Sequence, residues 1–211
     1  VPASIDTGSQ QQKSWLGGWG PRDTPDPNDL APRMGNLDKA VPGNFLVRAD
    51  ALSEPLLLVA SPGSNNILGY NAFSGAFQGV FANVGDVQGM TFGPDGNLYA
   101  ISGNAVVKID GSTGANLGFF AGWDGMKPTA LVFGPDGNLY VADPGAKGVI
   151  RFDGKSGALM GVFTRFREYA GDAARDAQAL AFAPDGNLYV AGASADLGLW
   201  VNWYDGKTGA I

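Results

Sequence analysis

Short apolar runs, each bounded by a turn, recur along residues 46–211. Met90-Thr91-Phe92 and Leu131-Val132-Phe133 each lead into a Pro-Asp-Gly-Asn turn. Leu139-Tyr140-Val141-Ala142, Val149-Ile150-Arg151-Phe152 and Leu159-Met160-Gly161-Val162-Phe163 follow in one stretch, the last two separated by Asp153-Gly154-Lys155-Ser156-Gly157. Runs of this length predict strands joined as hairpins, because proline presets φ and Gly or Asn tolerates positive φ in the turn. No stretch sustains a 3.6-residue apolar period. The best helical candidate is the Ala- and charge-rich insert 165–179, where at most a short helix or a structured loop is expected.

The pattern repeats. Phe92-Gly-Pro-Asp-Gly-Asn-Leu-Tyr99, Phe133-Gly-Pro-Asp-Gly-Asn-Leu-Tyr140 and Phe182-Ala-Pro-Asp-Gly-Asn-Leu-Tyr189 are near copies. Their prolines are 41 (135 − 94) and 49 (184 − 135) residues apart, and the insert accounts for the longer spacing. Each copy leads to an Asp-Gly-x-[Ser/Thr]-Gly-Ala turn, at Asp110, Asp153 and Asp205. A fainter copy aligns Ala60-Ser-Pro-Gly63 on Ala142-Asp-Pro-Gly145, an offset of 82 (142 − 60), or twice 41. Four-stranded units with a period of about 40–50 residues are the signature of propeller blades. The predicted fold is therefore all-β, a β-propeller of four-stranded blades. Four repeats are visible, in blades of about 46–85, 86–127, 128–177 and 178–211. In the third strands, Tyr70, Ile109, Phe152 and Tyr204 lie two residues after Leu68, Val107, Ile150 and Asn202. This period-2 column should pack on the neighbouring blade. Asn202 breaks it, and is read as an exposed or irregular face of the last blade, or as a polar group turned to a ligand.

Residues 1–45 have no such period. They hold Pro21, Pro25, Pro27, Pro32 and Pro42 together with Trp15-Leu-Gly-Gly-Trp19, and they read as an extended Pro/Gly-rich arm. The arm is either a tail wrapped over the propeller or a docking element with Trp15 and Trp19 as anchors. Closure of the ring is open at this level. The segment Asn44-Phe-Leu-Val-Arg48 could supply a last strand, the natural chain could continue past Ile211, or further copies or a partner could complete the ring.

Composition narrows the class of function. Gly is 33 of 211 residues, about twice the usual share, as a fold of turns and short strands requires. The net charge is −6 and the basic residues do not cluster, so nucleic acid is not an expected partner. No apolar run approaches the roughly 20 residues of a spanning helix. Cysteine and histidine are both absent, which removes disulfides, thiolate sites and any Ser/His/Asp set. The start Val-Pro-Ala-Ser-Ile fits the product of an Ala-x-Ala signal cleavage, and an exported protein, in the periplasm, at the cell surface or outside the cell, is expected.

The string Phe-Gly-Pro-Asp-Gly-Asn-Leu-Tyr-Val-Ala-Asp143, with Val149-Ile-Arg-Phe-Asp-Gly-Lys-Ser-Gly-Ala158, resembles NHL-type propellers. It is most similar to exported bacterial NHL-like repeat proteins that often carry C-terminal surface-sorting tails. The resemblance covers about residues 50–211 and implies a ring of four-stranded blades with a binding or scaffold role. Enzymes share this superfold. Those resembling streptogramin or amidating lyases depend on histidines, which this chain lacks. Gluconolactonase-like propellers use Glu, Asn and Asp around a divalent metal, and the only glutamates here are Glu54 and Glu168.

The expected function is thus a non-catalytic binding or scaffold role, with a protein or glycan ligand or self-association, inside a larger extracellular or membrane-attached assembly. The alternative is a metal-dependent hydrolase or lyase whose catalytic residues lie beyond residue 211. No cofactor is expected unless calcium binds. Asp95, Asp136 and Asp185 read as turn residues, whereas Asp143 and Asp196 vary between repeats and are the better calcium candidates. Trp123, Trp200 and Trp203 also belong to single blades and read as core filling or as a partner surface, with Lys147 nearby in sequence to Asp143. If the arm docks, Trp15→Ala combined with Trp19→Ala weakens assembly with the partner. Unchanged co-purification of the double variant contradicts this.

Overall fold

In a computed structural model, the chain is described over residues 45–48, 55–166, 176–194 and 198–211. The described residues form four antiparallel sheets and no α-helix. The first sheet is a meander of β1 (Phe45–Arg48), β2 (Leu56–Ser61), β3 (Asn66–Asn71) and β4 (Phe77–Asn83). The second comprises β5 (Val87–Phe92), β6 (Leu98–Ser102), β7 (Ala105–Ile109) and β8 (Asn116–Gly122). The third comprises β9 (Ala130–Phe133), β10 (Leu139–Asp143), β11 (Gly148–Phe152) and β12 (Leu159–Arg165). The fourth has three strands, β13 (Asp176–Phe182), β14 (Leu188–Ser194) and β15 (Gly198–Tyr204).

These sheets are the blades of a β-propeller. The first strand β9 touches both β5 and β13, so the first strands are innermost, and the last strands lie at the rim. The strands at 139–143 and 148–152 pair as the sequence pattern requires, with Leu139 opposite Phe152 and Val141 opposite Ile150. Two expectations change. Phe45–Arg48 pairs with β2 as the first strand of the first blade, and does not complete the last one. The insert 165–179 loses its tail to a strand, since β13 starts at Asp176 and pairs with β14. Backbone pairing decides that stretch, whatever its Ala-rich composition favours in isolation. The arm expected over residues 1–45 lies, but for Phe45, outside the described residues.

Three apolar clusters hold the blades together, one at each boundary. Leu58, Ala60 and Ile67 of the first blade pack on Met90, Leu98 and Ile109 of the second. Tyr99, Ile101 and Val106 of the second pack on Leu139, Val141, Ile150 and Phe152 of the third. Tyr140, Ala142 and Val149 of the third pack on Leu180, Leu188, Val190 and Tyr204 of the fourth. The third-strand column therefore behaves as expected at Ile109, Phe152 and Tyr204, each of which faces the blade before it. Asn202 lies on this same face between Trp200 and Tyr204, opposite Val190, rather than in open solvent. Its Nδ2 is enclosed without a hydrogen-bond partner among the described residues.

The repeated Asp-Gly-x-[Ser/Thr]-Gly turn is also a contact between blades. Gly114, Gly157 and Gly209 have φ values of 75°, 72° and 73°. A Cβ on any of them would collide with the carbonyl oxygen of Phe81, Phe120 or Phe163 in the preceding blade. Gly75, the first-blade equivalent, has φ 70° and open space around the Cβ position. Both glycines need the left-handed backbone, but only Gly157 needs the missing side chain for packing. Gly75→Ala should therefore cost about 1 kcal/mol, and Gly157→Ala at least about 3 kcal/mol, because a packed backbone must also move. Equilibrium urea unfolding of the two variants checks the order.

Candidate functional site

The octapeptide turns were the most conspicuous polar feature of the sequence, and their carboxylates are occupied. Asp95 accepts the Asn97 backbone N–H at 3.1 Å on one oxygen. Its other oxygen accepts Asn97 Nδ2 and Tyr99 Oη, both at 2.9 Å. Asp136 with Asn138 and Tyr140, and Asp185 with Asn187 and Tyr189, repeat the arrangement. In the second blade Lys108 Nζ adds an ion pair at 2.8 Å and lies 5.5 Å from the Tyr99 ring centre. Burial works against the Asp95 carboxylate, but the Lys108 ammonium and the Asn97 and Tyr99 donors outweigh it. They hold the carboxyl well below the usual range. Burial pushes the Tyr99 hydroxyl up. Asp110, Asp153 and Asp205 are likewise held low, chiefly by the hydroxyls of Ser112, Ser156 and Thr208 and by turn N–H groups.

Asp143, one of the two calcium candidates, is 1% exposed at the end of β10 and accepts the Ala146 N–H at 3.2 Å. It closes its own Asp-Pro-Gly turn. Asp196 lies outside the described residues. Among the described residues no three His, Cys, Asp or Glu side chains gather in a way that could hold a metal. The tryptophans do not gather either. Trp15 and Trp19 lie outside the described residues. Trp123 follows β8 and lies 6.1 Å from the Phe152 ring. Trp200 faces the third blade, 6.1 Å from the Phe166 ring. Trp203 is odd-numbered on the same strand and points the other way, 52% exposed.

That opposite face of the fourth blade is the feature that stands out. In the second and third blades the octapeptide tyrosine is sandwiched. Tyr99 lies between Phe120 of its own blade and Phe133 of the next, at 4.7 and 4.8 Å. Tyr140 lies between Phe163 and Phe182, at 4.8 and 5.0 Å. Both are 1% exposed. Tyr189 keeps its bond to Asp185 but is only half-buried, since no described blade follows it. Val201 occupies the place of Ile67, Val106 and Val149, which are fully buried, yet it is 66% exposed. Tyr189 is opposite Trp203, where Tyr99 faces Lys108 and Tyr140 faces Arg151. With Ala191 opposite Val201 and Ala193 opposite Leu199, the face is apolar from end to end. Aligning the third strands of the repeats shows Trp203 in the place of two cations, and this signal was already present in the sequence. Exposure of the face was not, because it depends on what stands beside the blade.

No family model matches the chain, and no curated protein sequence does either. Solved structures do. Hydrazine synthase of Kuenenia stuttgartiensis superposes with a TM-score of 0.59 at 17% identity, over 74% of this chain and 44% of that one. A gluconolactonase of Xanthomonas campestris superposes at 0.55 and 18% identity, over 82% of this chain and 61% of that one. The extracellular domain assigned to a hybrid two-component system of B. thetaiotaomicron superposes at 0.56 and 15%, over 74% and 20%. The chain spans less than two thirds of each. These likenesses establish the propeller fold.

Because the folded-state value of Asp95 is depressed, its contribution to stability is present above its ordinary value of 3.8 and is lost as pH falls below it. Lys108→Met removes the ion pair that only the charged form of Asp95 makes. The variant should be less stable than the parent at neutral pH, and the gap should close as pH drops below about 4. Thermal unfolding across that range checks it, and a pH-independent gap would assign the loss to packing of the lysine stem.

Proposed function

We propose that this chain is a non-catalytic, exported binding or scaffold protein of NHL-like propeller type, working inside a larger extracellular or membrane-attached assembly. The observation that carries the reading is Trp203, which stands in the fourth blade where Lys108 and Arg151 stand in the second and third. Aromatic anchors dominate binding energy where they occur. The polar groups support the same reading. The described turn aspartates already spend their oxygens on backbone, hydroxyl, amide or ammonium donors, and a carboxylate so engaged is a poor general base. The extracellular domains among the structural neighbours support export. No helix among the described residues is long and apolar enough to cross a membrane.

The second reading is a metal-dependent hydrolase or lyase with its catalytic groups beyond residue 211. It draws on the gluconolactonase and the virginiamycin B lyase among the neighbours, of which this chain spans 61% and 58%. An assay of the natural protein, including whatever follows residue 211, with gluconolactone and with and without added calcium, separates the two. The binding reading expects hydrolysis at the rate of buffer alone. A saturable, metal-dependent rate would replace it with the enzyme.

A further inference from the structure

We propose that Asp124-Gly125, in the loop between the second and third blades, is a covalent modification site that the fold leaves open, where aspartate converts to isoaspartate through a cyclic imide. The inference is independent of the binding reading above. The chain holds seven Asp-Gly pairs, and six of them lie in the two kinds of repeated turn. Glycine offers this reaction the least steric resistance, because the attacking residue has no Cβ. The Gly125 nitrogen forms a bond to the Asp124 side-chain carbonyl carbon. The bond from that carbon to its hydroxyl breaks, and the hydroxyl leaves as water with the amide proton. A water molecule then reopens the ring. Attack at the side-chain carbonyl restores aspartate. Attack at the backbone carbonyl gives isoaspartate, with the main chain running through Cβ and Cγ. No other reactant is consumed.

The repeated turns restrain both reacting groups. Asp95, Asp136 and Asp185 each accept the backbone N–H and the side-chain amide of the asparagine two residues on. Asp110, Asp153 and Asp205 each accept two turn N–H groups and a Ser or Thr hydroxyl. Burial opposes ionisation at Asp95 and Asp136, but in all six the donors hold the carboxyl below its usual range. The ionised form has no hydroxyl to lose. The attacking nitrogens are also held. Gly96, Gly137 and Gly186 donate to the carbonyls of Gly93, Gly134 and Ala183 at 3.0, 2.9 and 2.9 Å. Gly111 and Gly154 donate to Oδ1 of Asn97 and Asn138 at 3.4 and 3.3 Å. Gly111, Gly154 and Gly206 press on the carbonyls of Gly96, Gly137 and Gly186, with no room even for a Cβ, so a longer isoaspartyl backbone does not fit.

Asp124-Gly125 escapes each restraint. Both residues are exposed. Among the described residues the Asp124 carboxylate accepts no hydrogen bond and the Gly125 N–H donates none. The space around the Gly125 Cβ position is open. The pair forms the middle of a turn closed by the Met126 N–H on the Trp123 carbonyl at 3.1 Å. Both ends of that turn are anchored at the boundary of the second and third blades, Met126 in its apolar cluster and Trp123 at 6.1 Å from the Phe152 ring. The added methylene enters between these anchors, so the aged chain carries Trp123 on an altered loop.

The test holds the folded 211-residue chain at physiological pH and temperature. Samples are then unfolded and cut with an endoproteinase that cleaves before aspartate but not before isoaspartate, and uncut junctions report each site by mass spectrometry. An imide in a repeated turn requires at least two hydrogen bonds to break first, so Asp124 should convert at least ~10-fold faster than any of the other six. In guanidinium chloride all seven should convert at similar rates, since each is followed by glycine. Asp124→Glu, which would need a larger and slower ring, should abolish conversion at this position and leave the other six rates and the far-UV circular dichroism unchanged. Equal conversion at Asp124 and in the repeated turns of the folded protein overturns the proposal. A lead for Asp124 that persists in guanidinium chloride overturns it too, because its neighbours in sequence, and not the fold, would then set the rate.

Discussion

A blade is a sheet with two apolar faces, and neither can stay wet without cost. The structure depends on this constraint. Its most visible expression is the tyrosine of the octapeptide, clamped between a phenylalanine of its own rim strand and one at the end of the next blade's first strand. The ring geometries are edge-to-face, the arrangement in which a positive ring edge meets a negative face. The same tyrosine donates its hydroxyl to the turn aspartate, so one side chain ties a turn, a blade and its neighbour together. Buried hydroxyls need such a partner, and the repeated Asp supplies it.

This explains why the same aspartates recur in every repeat. Each aspartate recurs because each blade needs its turns. One class, at Asp95, Asp136 and Asp185, anchors the tyrosine. The other, at Asp110, Asp153 and Asp205, gathers the N–H groups of the Asp-Gly-x-[Ser/Thr]-Gly turn, which in turn presses its glycine on the preceding rim strand. What varies between blades carries more information. Lys108 and Arg151 cap the tyrosine region with a charge in the second and third blades, and Trp203 stands there in the fourth. A tryptophan in the place of two cations exchanges a solvated group for a large apolar one, on the face that no described blade covers.

Strands, turns and the class of fold were legible in the chain because they follow from local rules. Proline and glycine punctuate it, apolar runs have strand length, and the period of 41 repeats the whole unit. The columns facing the preceding blade could be read for the same reason, since strand side chains alternate with a period of two. The first strand, Phe45–Arg48, and the start of β13 were harder. Neither carries the octapeptide signal, and both become strands through pairing with a neighbour. The two nearby tryptophans of β15 could not be assigned to one surface or two until that strand's register placed Trp200 inward and Trp203 outward.

The amino-acid sequence by itself determined the repeat, the blade and its turns, the lack of histidine and cysteine chemistry, and the apolar character of each third strand. Only the tertiary structure decided which of those apolar residues are covered. Val149 and Val201 hold the same place in the same repeat, one fully buried and the other 66% exposed. Nothing local separates them. Burial is a property of what packs against a residue, and in a propeller that neighbour is always another blade.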